Sequence, residues 1–151
     1  MNKVLPRSTA TDDDIYEQLH GLMHALRGRL REPARAGGPG LPPMEARALN
    51  FFARQPGATA ADLVLHSGRD KAQIARLVKP LLDGGLLTRE ADATDGRSIR
   101  LHPTEAGHAA HREMQQQRKR LAARLIKGLA ADDLAQLKRL LTRLAENLET
   151  P

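Results

Sequence analysis

The sequence predicts a mainly α-helical protein of the α+β class, in which one short β-hairpin interrupts a succession of helices. Three observations support this prediction. Hydrophobic residues, mostly leucine and alanine, make up 40% of the 151 residues, and aromatic residues only 2%, a mixture that favours helix-on-helix packing. Apolar residues recur every three or four positions in both the N-terminal and the C-terminal parts. Residues 87–107, LTREADATDGRSIRLHPTEAG, instead place a polar loop between two short alternating runs.

The N-terminal part predicts a flexible tail over residues 1–10 and then a long helix capped by Thr11 or Asp12. Three arginines lie near the expected end of this helix, where the helix dipole favours positive charge, and the segment EPARAGGPGLPP predicts a loop. The apolar face of the helix consists of Ile15, Leu19, Leu22, Leu26 and Leu30.

Three short helices are predicted next, and the last two are joined by a tight turn that contains glycine, which is the spacing of a helix-turn-helix. Asp62 and Gln73 each lie three residues after a potential cap, as the second partner of a capping box does. The predicted limits are Pro43 to Pro56-Gly57, Thr59 to Ser67-Gly68, and Asp70 to Gly84-Gly85.

Beyond these helices, the strands LLTRE and SIRLH flank a loop at residues 91–97, and a helix-turn-helix followed by such a hairpin is a winged helix. Thr104 should cap a long helix that extends to about residue 127. The last helix carries a heptad-type seam that must pack against other helices, in this chain or in a partner. The seam residues are Leu134, Leu137, Leu141, Leu144 and Leu148.

The predicted domains are a winged helix-turn-helix over residues 42–102 and a helical dimerisation domain built from residues 11–36 and 104–149. The formal net charge is +6 and the sequence pI is about 10.3. This basic surplus suggests a polyanionic partner, nucleic acid or a membrane surface, although a merely soluble basic protein is an equal alternative. The chain contains no cysteine, and it shows no signal peptide or transmembrane run, which predicts a cytoplasmic protein.

An enzyme is not predicted. The sequence lacks a glycine-rich phosphate loop, a serine nucleophile in an elbow pattern and a carboxylate pair at a telling spacing. We therefore expect no catalytic residues and no cofactor.

Two segments, DKAQIARLVKPLLDGGLLTRE and DGRSIRLHPTEAG, resemble the MarR family of bacterial transcriptional regulators, and the order of elements matches that family over nearly the whole chain. The resemblance implies a DNA-binding winged helix in which Asp95 forms an ion pair that holds Arg97 and the loop in shape. One departure is Pro80 inside the recognition helix, where we expect a bend in the last turns. The matching residues are Gly85-Leu86, Asp95 and Arg97, and Leu101, Thr104 and Gly107.

The predicted DNA-reading surface combines the recognition helix with the wing. Gln73 can pair with adenine and Arg76 with guanine in the major groove, while Arg97 enters the neighbouring minor groove. Phosphate contacts are expected from Arg69, Arg89, Arg100 and the backbone N–H groups near Thr59, although Arg100 could simply keep its strand soluble. A solvated charged face is the alternative for the helix. The predicted DNA-binding residues are Arg69, Lys71, Gln73, Arg76, Lys79, Asp95 and Arg97.

These features predict a homodimer that binds a palindromic operator in double-stranded DNA and represses transcription. The interface would use the first helix, the last helix and Leu121, Leu125 and Leu129. An intramolecular three-helix bundle is the alternative to the dimer. A winged helix that binds proteins rather than DNA is the alternative to the function.

The resemblance also implies a small, aromatic and anionic effector that releases the DNA. Arg27 or Arg47 could pair with its carboxylate, while ordinary packing between helices is the alternative. The candidate ligand residues are Tyr16, His20, Met23, Arg27, Met44, Arg47 and Phe51.

A zinc-responsive regulator of the same fold is a further alternative. His20 with His24, and His108 with His111, have helical spacings that can place two imidazoles on one side of a helix, but neither pair has a convergent third ligand. No metal site is therefore predicted.

Overall fold

The computed structural model describes residues 9–35 and 40–149, and it confirms the predicted class and order of elements within them. None of its helices is long and apolar enough to cross a membrane, in the part of the chain described. The elements are α1 (Thr9–Arg35), α2 (Pro43–Arg54), α3 (Ala60–Ser67), α4 (Lys71–Asp83), β1 (Leu87–Ala91), β2 (Ile99–Pro103), α5 (Glu105–Leu125) and α6 (Ala131–Glu149).

Helix α1 differs from its predicted limits at both ends. It begins at Thr9, before the predicted caps, so the last two residues of the expected tail are helical. Residues 1–8 and the predicted boundary at residue 36 lie outside the described part. The helix also continues past Pro33 to Arg35, because a proline in the last turn removes only one hydrogen bond of the helix. The loop predicted to begin at Glu32 therefore starts later.

The core lies inside the winged helix and is built from α2, α3, α4 and both strands. Phe52, Leu49 and Leu81 are completely buried, and Phe51 packs edge-on against Phe52. On α5, Ala110 and Met114 cover part of this core. The buried residues are Ala48, Leu49, Phe51, Phe52, Leu63, Ile74, Val78, Leu81, Leu87 and Leu101.

Both predicted capping boxes are confirmed. The Thr59 hydroxyl accepts a hydrogen bond from the Asp62 N–H while the Asp62 carboxylate accepts one from the Thr59 N–H, and Asp70 and Gln73 form the same reciprocal pair. Between the two helices, Gly68 adopts a left-handed conformation at φ +66°, which a side chain would disfavour. These local bonds fix where α3 ends and α4 begins.

The wing is an antiparallel hairpin with Thr88 opposite His102 and Glu90 opposite Arg100. A short extended segment before α3 adds to its edge, because Gly57 N–H donates to the Leu101 carbonyl at 2.9 Å and Leu101 N–H donates to the Ala58 carbonyl at 3.0 Å. The hairpin is therefore hydrogen-bonded to the residues that introduce the helix-turn-helix.

The end of α4, the start of β1 and the start of α5 meet at Leu86. The Thr104 N–H donates to the Leu86 carbonyl, the Thr104 hydroxyl donates to the Gly85 carbonyl, and Gly107 N–H donates to the Thr104 oxygen. A Cβ atom at Gly107 would lie 2.0 Å from the Leu86 carbonyl oxygen. Gly107 is therefore required by this close approach of two backbones.

The described residues form two compact units, one up to Gln115 and the other from Gln116 onwards. The second contains the C-terminal half of α5 and all of α6, and no residue of α6 is buried. The predicted division into a winged-helix domain and a dimerisation domain stays a prediction, because it depends on a second chain.

We expect Gly107→Ala to lower the free energy of unfolding by about 3 kcal/mol, because the new methyl group overlaps the Leu86 carbonyl and forces backbones apart. Gly28→Ala is the matched control: no atom lies within 4 Å of its added Cβ, and alanine is the better helix former. Denaturant titrations of the two variants would check this. Equal stability of both variants and the wild type would contradict the proposed close contact.

Candidate nucleic-acid interface

Helix α4 presents two unlike faces. Its buried residues are Ile74, Val78 and Leu81, whereas Lys71, Gln73, Arg76 and Lys79 are exposed to solvent. The helix continues through Pro80 to Asp83. Among the predicted reading residues on α4, none contributes to the core, so their side chains are accessible to a partner.

Gln73 already has one hydrogen-bond partner. Its Oε1 accepts the N–H of Asp70 at 3.3 Å and completes the capping box. Bidentate pairing with adenine needs both the oxygen and the nitrogen of the amide. In the free protein only Nε2 is available without opening the cap.

Two further residues that are predicted to contact DNA interact with other residues of the protein. Lys79 lies in an exposed ion pair with Asp83, at 2.6 Å, one helical turn away. Arg69 is half-buried and directs Nη2 at the sulfur of Met44, at 3.6 Å. Arg69 therefore lies at the contact between α2 and the start of α4, which sequence reasoning did not anticipate.

The predicted ion pair between Asp95 and Arg97 is wrong. Asp95 accepts the backbone N–H of Arg97 at 3.1 Å and the hydroxyl of Ser98 at 2.9 Å, so its carboxylate is engaged in closing the turn. A residue two positions away offers its N–H in the geometry of an Asx turn, which is the favoured local partner of an aspartate. Asp95 thus shapes the loop through the backbone rather than through a guanidinium.

The Arg97 guanidinium is exposed at the end of this loop. Within residues 9–35 and 40–149, no carboxylate forms an ion pair with it. Its backbone is held by Asp95 while its charge is available, which suits a contact with a polyanion.

The ion pair of the wing is instead formed by Asp92 and Arg100. The Arg100 Nη2 lies 2.6 Å from Asp92 Oδ2, and Nε donates to the same oxygen at 2.9 Å. Arg100 also donates from Nη1 to the carbonyl of Gly57 at 2.9 Å. Arg100 therefore joins the wing to the connection between α2 and α3.

Asp92 is held in its ionised form by these neighbours. Its pKa is lowered from the ordinary value, first by the hydrogen bond from the Thr94 N–H and then by the hydrogen bond from Arg100. Because the pKa of Asp92 is lower in the folded protein, its ionised carboxylate stabilises the folded wing at pH values above the pKa of an unfolded aspartate. This stabilisation is lost as the pH falls through the lower pKa that Asp92 has in the folded protein. The pair is therefore intact at neutral pH.

A cavity of about 370 Å³ lies between α2, α3 and the start of α4. It combines apolar walls with the cations Arg47, Arg54 and Arg69. The His66 ring lies 5.0 Å from that of Phe51, and sequence reasoning missed His66 as a wall residue. The lining residues are Met44, Arg47, Ala48, Asn50, Phe51, Arg54, Gln55, Leu63, His66, Ser67, Arg69, Ile74 and Leu77.

The predicted ligand residues divide between two places. Met44, Arg47 and Phe51 line the cavity, whereas Tyr16, His20, Met23 and Arg27 on α1 do not. Tyr16 and His20 stack on each other at 6.2 Å along an exposed side of α1. The structure therefore brings together the α2 part of the predicted set.

The histidine pairs do not form a metal site among the described residues, where no group of three or more histidine, aspartate or glutamate side chains could hold an ion. His111 contacts Asn50 on α2 at 3.0 Å and Gln115 on α5 at 3.2 Å. Burial and the nearby His108 and Arg54 lower the pKa of His111, as expected for a packed imidazole.

Comparisons with known proteins agree with this architecture. A family model described as "MarR family" matches residues 40–98. The regulator named "HTH-type transcriptional regulator PetP" of Rhodobacter capsulatus is 30% identical over 115 residues, which cover 75% of this chain and 69% of that protein.

Two solved structures extend the similarity to nearly the whole chain. The PcaV transcriptional regulator from Streptomyces coelicolor is 26% identical, with a TM-score of 0.74 over 89% of this chain and 97% of that chain. FabT of Streptococcus pneumoniae, solved in complex with DNA, shares the fold at 20% identity, with a TM-score of 0.79 over 91% of this chain and 96% of that chain.

Proposed function

The chain belongs to the MarR family of winged-helix transcriptional regulators, and we propose that it acts in the cytoplasm as a homodimeric repressor. In this proposal it binds a palindromic operator and releases it when an aromatic, anionic effector binds. The family comprises transcriptional regulators rather than enzymes.

The observation that supports operator binding best is the combination of an exposed polar face on α4 with a wing cation that has no ion-pair partner among the described residues. Arg76 is positioned on a helix of the diameter that the major groove admits, and Arg97 extends from a loop that could enter the adjacent minor groove, whose negative potential attracts arginine. Lys71 at the first turn of α4 is a phosphate contact in this arrangement. FabT of Streptococcus pneumoniae, which shares this fold, has been solved in complex with DNA.

The proposed dimer is supported by the apolar side chains that α1 and α6 expose to solvent. Leu137 and Leu141 of α6 are 41% and 47% exposed, and Ile15 and Leu22 of α1 are exposed to a similar degree. A soluble monomer rarely leaves apolar residues in continuous stripes. A second copy related by a twofold axis would cover the same stripe on both chains and would place two winged helices on one face of the duplex.

An effector site is supported by the cavity beside α4. Among the described residues no ion pair engages Arg47 or Arg54, so both guanidinium groups can receive a carboxylate, with Phe51 and Met44 against the ring. Arg69, Ile74 and Leu77 belong to the turn before α4 and to α4 itself. A ligand that separates these residues from α2 would shift the reading helix, which couples its binding to DNA release.

The protein-interaction and zinc-response alternatives predict different behaviour. A module that binds only proteins would show no salt-dependent affinity for duplex DNA. A zinc-responsive regulator would produce heat above buffer on zinc titration.

We expect Arg76→Ala and Arg97→Ala each to weaken operator binding by about 10-fold to 100-fold, which corresponds to the loss of one groove contact. The operator is selected from random duplex DNA by the wild-type protein, and affinity is measured by fluorescence anisotropy at several salt concentrations. Arg112→Ala removes an equal charge from an exposed position on α5 and should change little. Unchanged affinity in both reading variants would show that the surface has been misassigned.

We expect Leu137→Gln combined with Leu141→Gln to convert the dimer largely to single chains, because each lost leucine removes about 2 kcal/mol of burial and counts twice in a twofold interface. Sedimentation velocity of the variant and the wild type would measure this. Arg139→Gln introduces the same side chain on the opposite face of α6 and should leave the mass at two chains. A wild-type protein that sediments as single chains at micromolar concentration contradicts the dimer.

We expect Arg47→Ala to weaken binding of an aromatic carboxylate by about tenfold or more, since a charge-assisted hydrogen bond is lost. A panel of aromatic carboxylates is titrated into the protein–operator complex, and release of labelled DNA is followed. Arg27→Ala, which removes a cation outside the cavity, is the control and should respond like the wild type. Release by the panel at the same concentrations from the Arg47 variant would move the site away from this cavity.

A further inference from the structure

We propose that Arg100 is a positioning residue for operator binding: without touching DNA, it fixes the wing, and with it Arg97, relative to the helix-turn-helix. The inference rests on the proposed DNA-binding function. In this inference, the Arg100 guanidinium group and its partners Asp92 and Gly57 fix the position of the wing. We call these three residues the Arg100 clamp.

One end of the clamp is attached immediately before the helix-turn-helix. The Gly57 carbonyl accepts the Arg100 Nη1–H at 2.9 Å, and the Gly57 N–H donates to the Leu101 carbonyl at 2.9 Å. Two residues later Thr59 caps α3 and forms a β-bridge with Arg100. The bonded carbonyl therefore belongs to the segment that sets the start of α3.

The other end of the clamp is attached at the first residue of the wing loop. Asp92 Oδ2 receives both Nε and Nη2 of Arg100, and the Asp92 side chain is only 13% exposed. Its second oxygen accepts the N–H groups of Thr94 and Asp95, at 2.9 and 3.4 Å. One carboxylate thus bonds the guanidinium on one side and the loop backbone on the other.

The hydrogen bonds continue from Asp92 to the residue that is proposed to reach DNA. The Asp92 N–H donates to the Ser98 carbonyl at 3.0 Å, which closes the base of the loop. Asp95 then accepts the Arg97 N–H at 3.1 Å. A connected series from Gly57 through Arg100, Asp92 and Asp95 therefore determines the direction in which Arg97 leaves the loop.

Such a constraint is needed because a two-stranded hairpin is only marginally stable by itself. Its loop would otherwise sample many orientations, and binding DNA would have to select one of them at a cost in entropy. Arg100 is unsuited to a primary phosphate contact, since three of its five N–H donors are used within the protein.

The decisive variant is Asp92→Asn, because the two roles of Arg100 predict opposite signs. If Arg100 contacted a phosphate, removing the acid would release the cation and reduce repulsion, so affinity would stay equal or rise. If Arg100 positions the wing, losing its charged partner should weaken binding of the selected operator by about tenfold. Glu113→Gln is the matched control, since it makes the same change in charge at an exposed position on α5 and leaves the Arg100 clamp intact.

A double-mutant cycle then tests whether the effect acts through Arg97. Arg100→Gln should weaken binding by about tenfold or more in the wild-type background. In the Arg97→Ala background it should cause almost no further loss. Thermal melts of every variant identify loss of folding, and Asp92→Asn keeps the inference testable where Arg100→Gln does not fold.

These binding measurements have three possible results, and each leads to a different conclusion. Weaker binding by Asp92→Asn together with a non-additive cycle supports the inference. Equal or tighter binding by Asp92→Asn, or an additive cycle, overturns it and assigns Arg100 a direct DNA contact or none. Absence of duplex affinity in the wild-type protein at low salt would instead refute the proposed function.

Discussion

The approach of Gly107 to the Leu86 carbonyl is the contact on which the winged helix depends. Three elements change direction within a few residues there: α4 ends, β1 begins, and α5 starts after the return strand. Thr104 bonds both the Gly85 and the Leu86 carbonyls, which follow the end of α4, so this connection anchors the start of α5. The position of α4 is therefore set from both ends, by the Asp70 cap at its start and by this junction at its end.

The charged residues of the wing have two different roles. Some of them bond groups within the protein, and others remain accessible to a partner. Asp92 and Asp95 lie in the same loop as Arg97, yet their carboxylates accept hydrogen bonds from backbone N–H groups and from the Arg100 guanidinium, and these bonds fold the loop. Within this loop, Arg97 has no ion-pair partner among the described residues. Exposed ion pairs contribute little to stability, whereas a carboxylate that bonds several backbone donors fixes a conformation. Acidic residues in a proposed DNA-binding loop are thus compatible with a polyanionic partner.

The sequence predicts those features that depend on bonds between residues three or four apart. The capping boxes at Thr59 and Asp70 are of this kind, as is the glycine at the helix turn. The strands are recognised instead from the alternation of their side chains. Prediction from the sequence fails where several donors compete for one group or where the partner is distant in sequence. The family resemblance pairs Asp95 with Arg97, but the Asp95 carboxylate closes the loop, and Arg100 is bonded to a carbonyl 43 residues away. The α2 wall of the cavity was predicted, because helical periodicity places its residues on one side of α2. The helices that face this wall were not predicted, because periodicity does not show which helix lies opposite.

Gln73 illustrates how capping and base reading compete for one side chain. Its oxygen completes the cap of α4, a bond worth about 1 kcal/mol, while a bidentate contact with adenine would gain about 1–3 kcal/mol. Opening the cap therefore offsets much of the gain. The free Nε2–H groups can donate to guanine O6 or N7, adenine N7 or thymine O4 at no such cost. We therefore expect Gln73 in the proposed complex to distinguish base edges that present acceptors from cytosine. Arg76, which has no role in capping, is expected to select a single base.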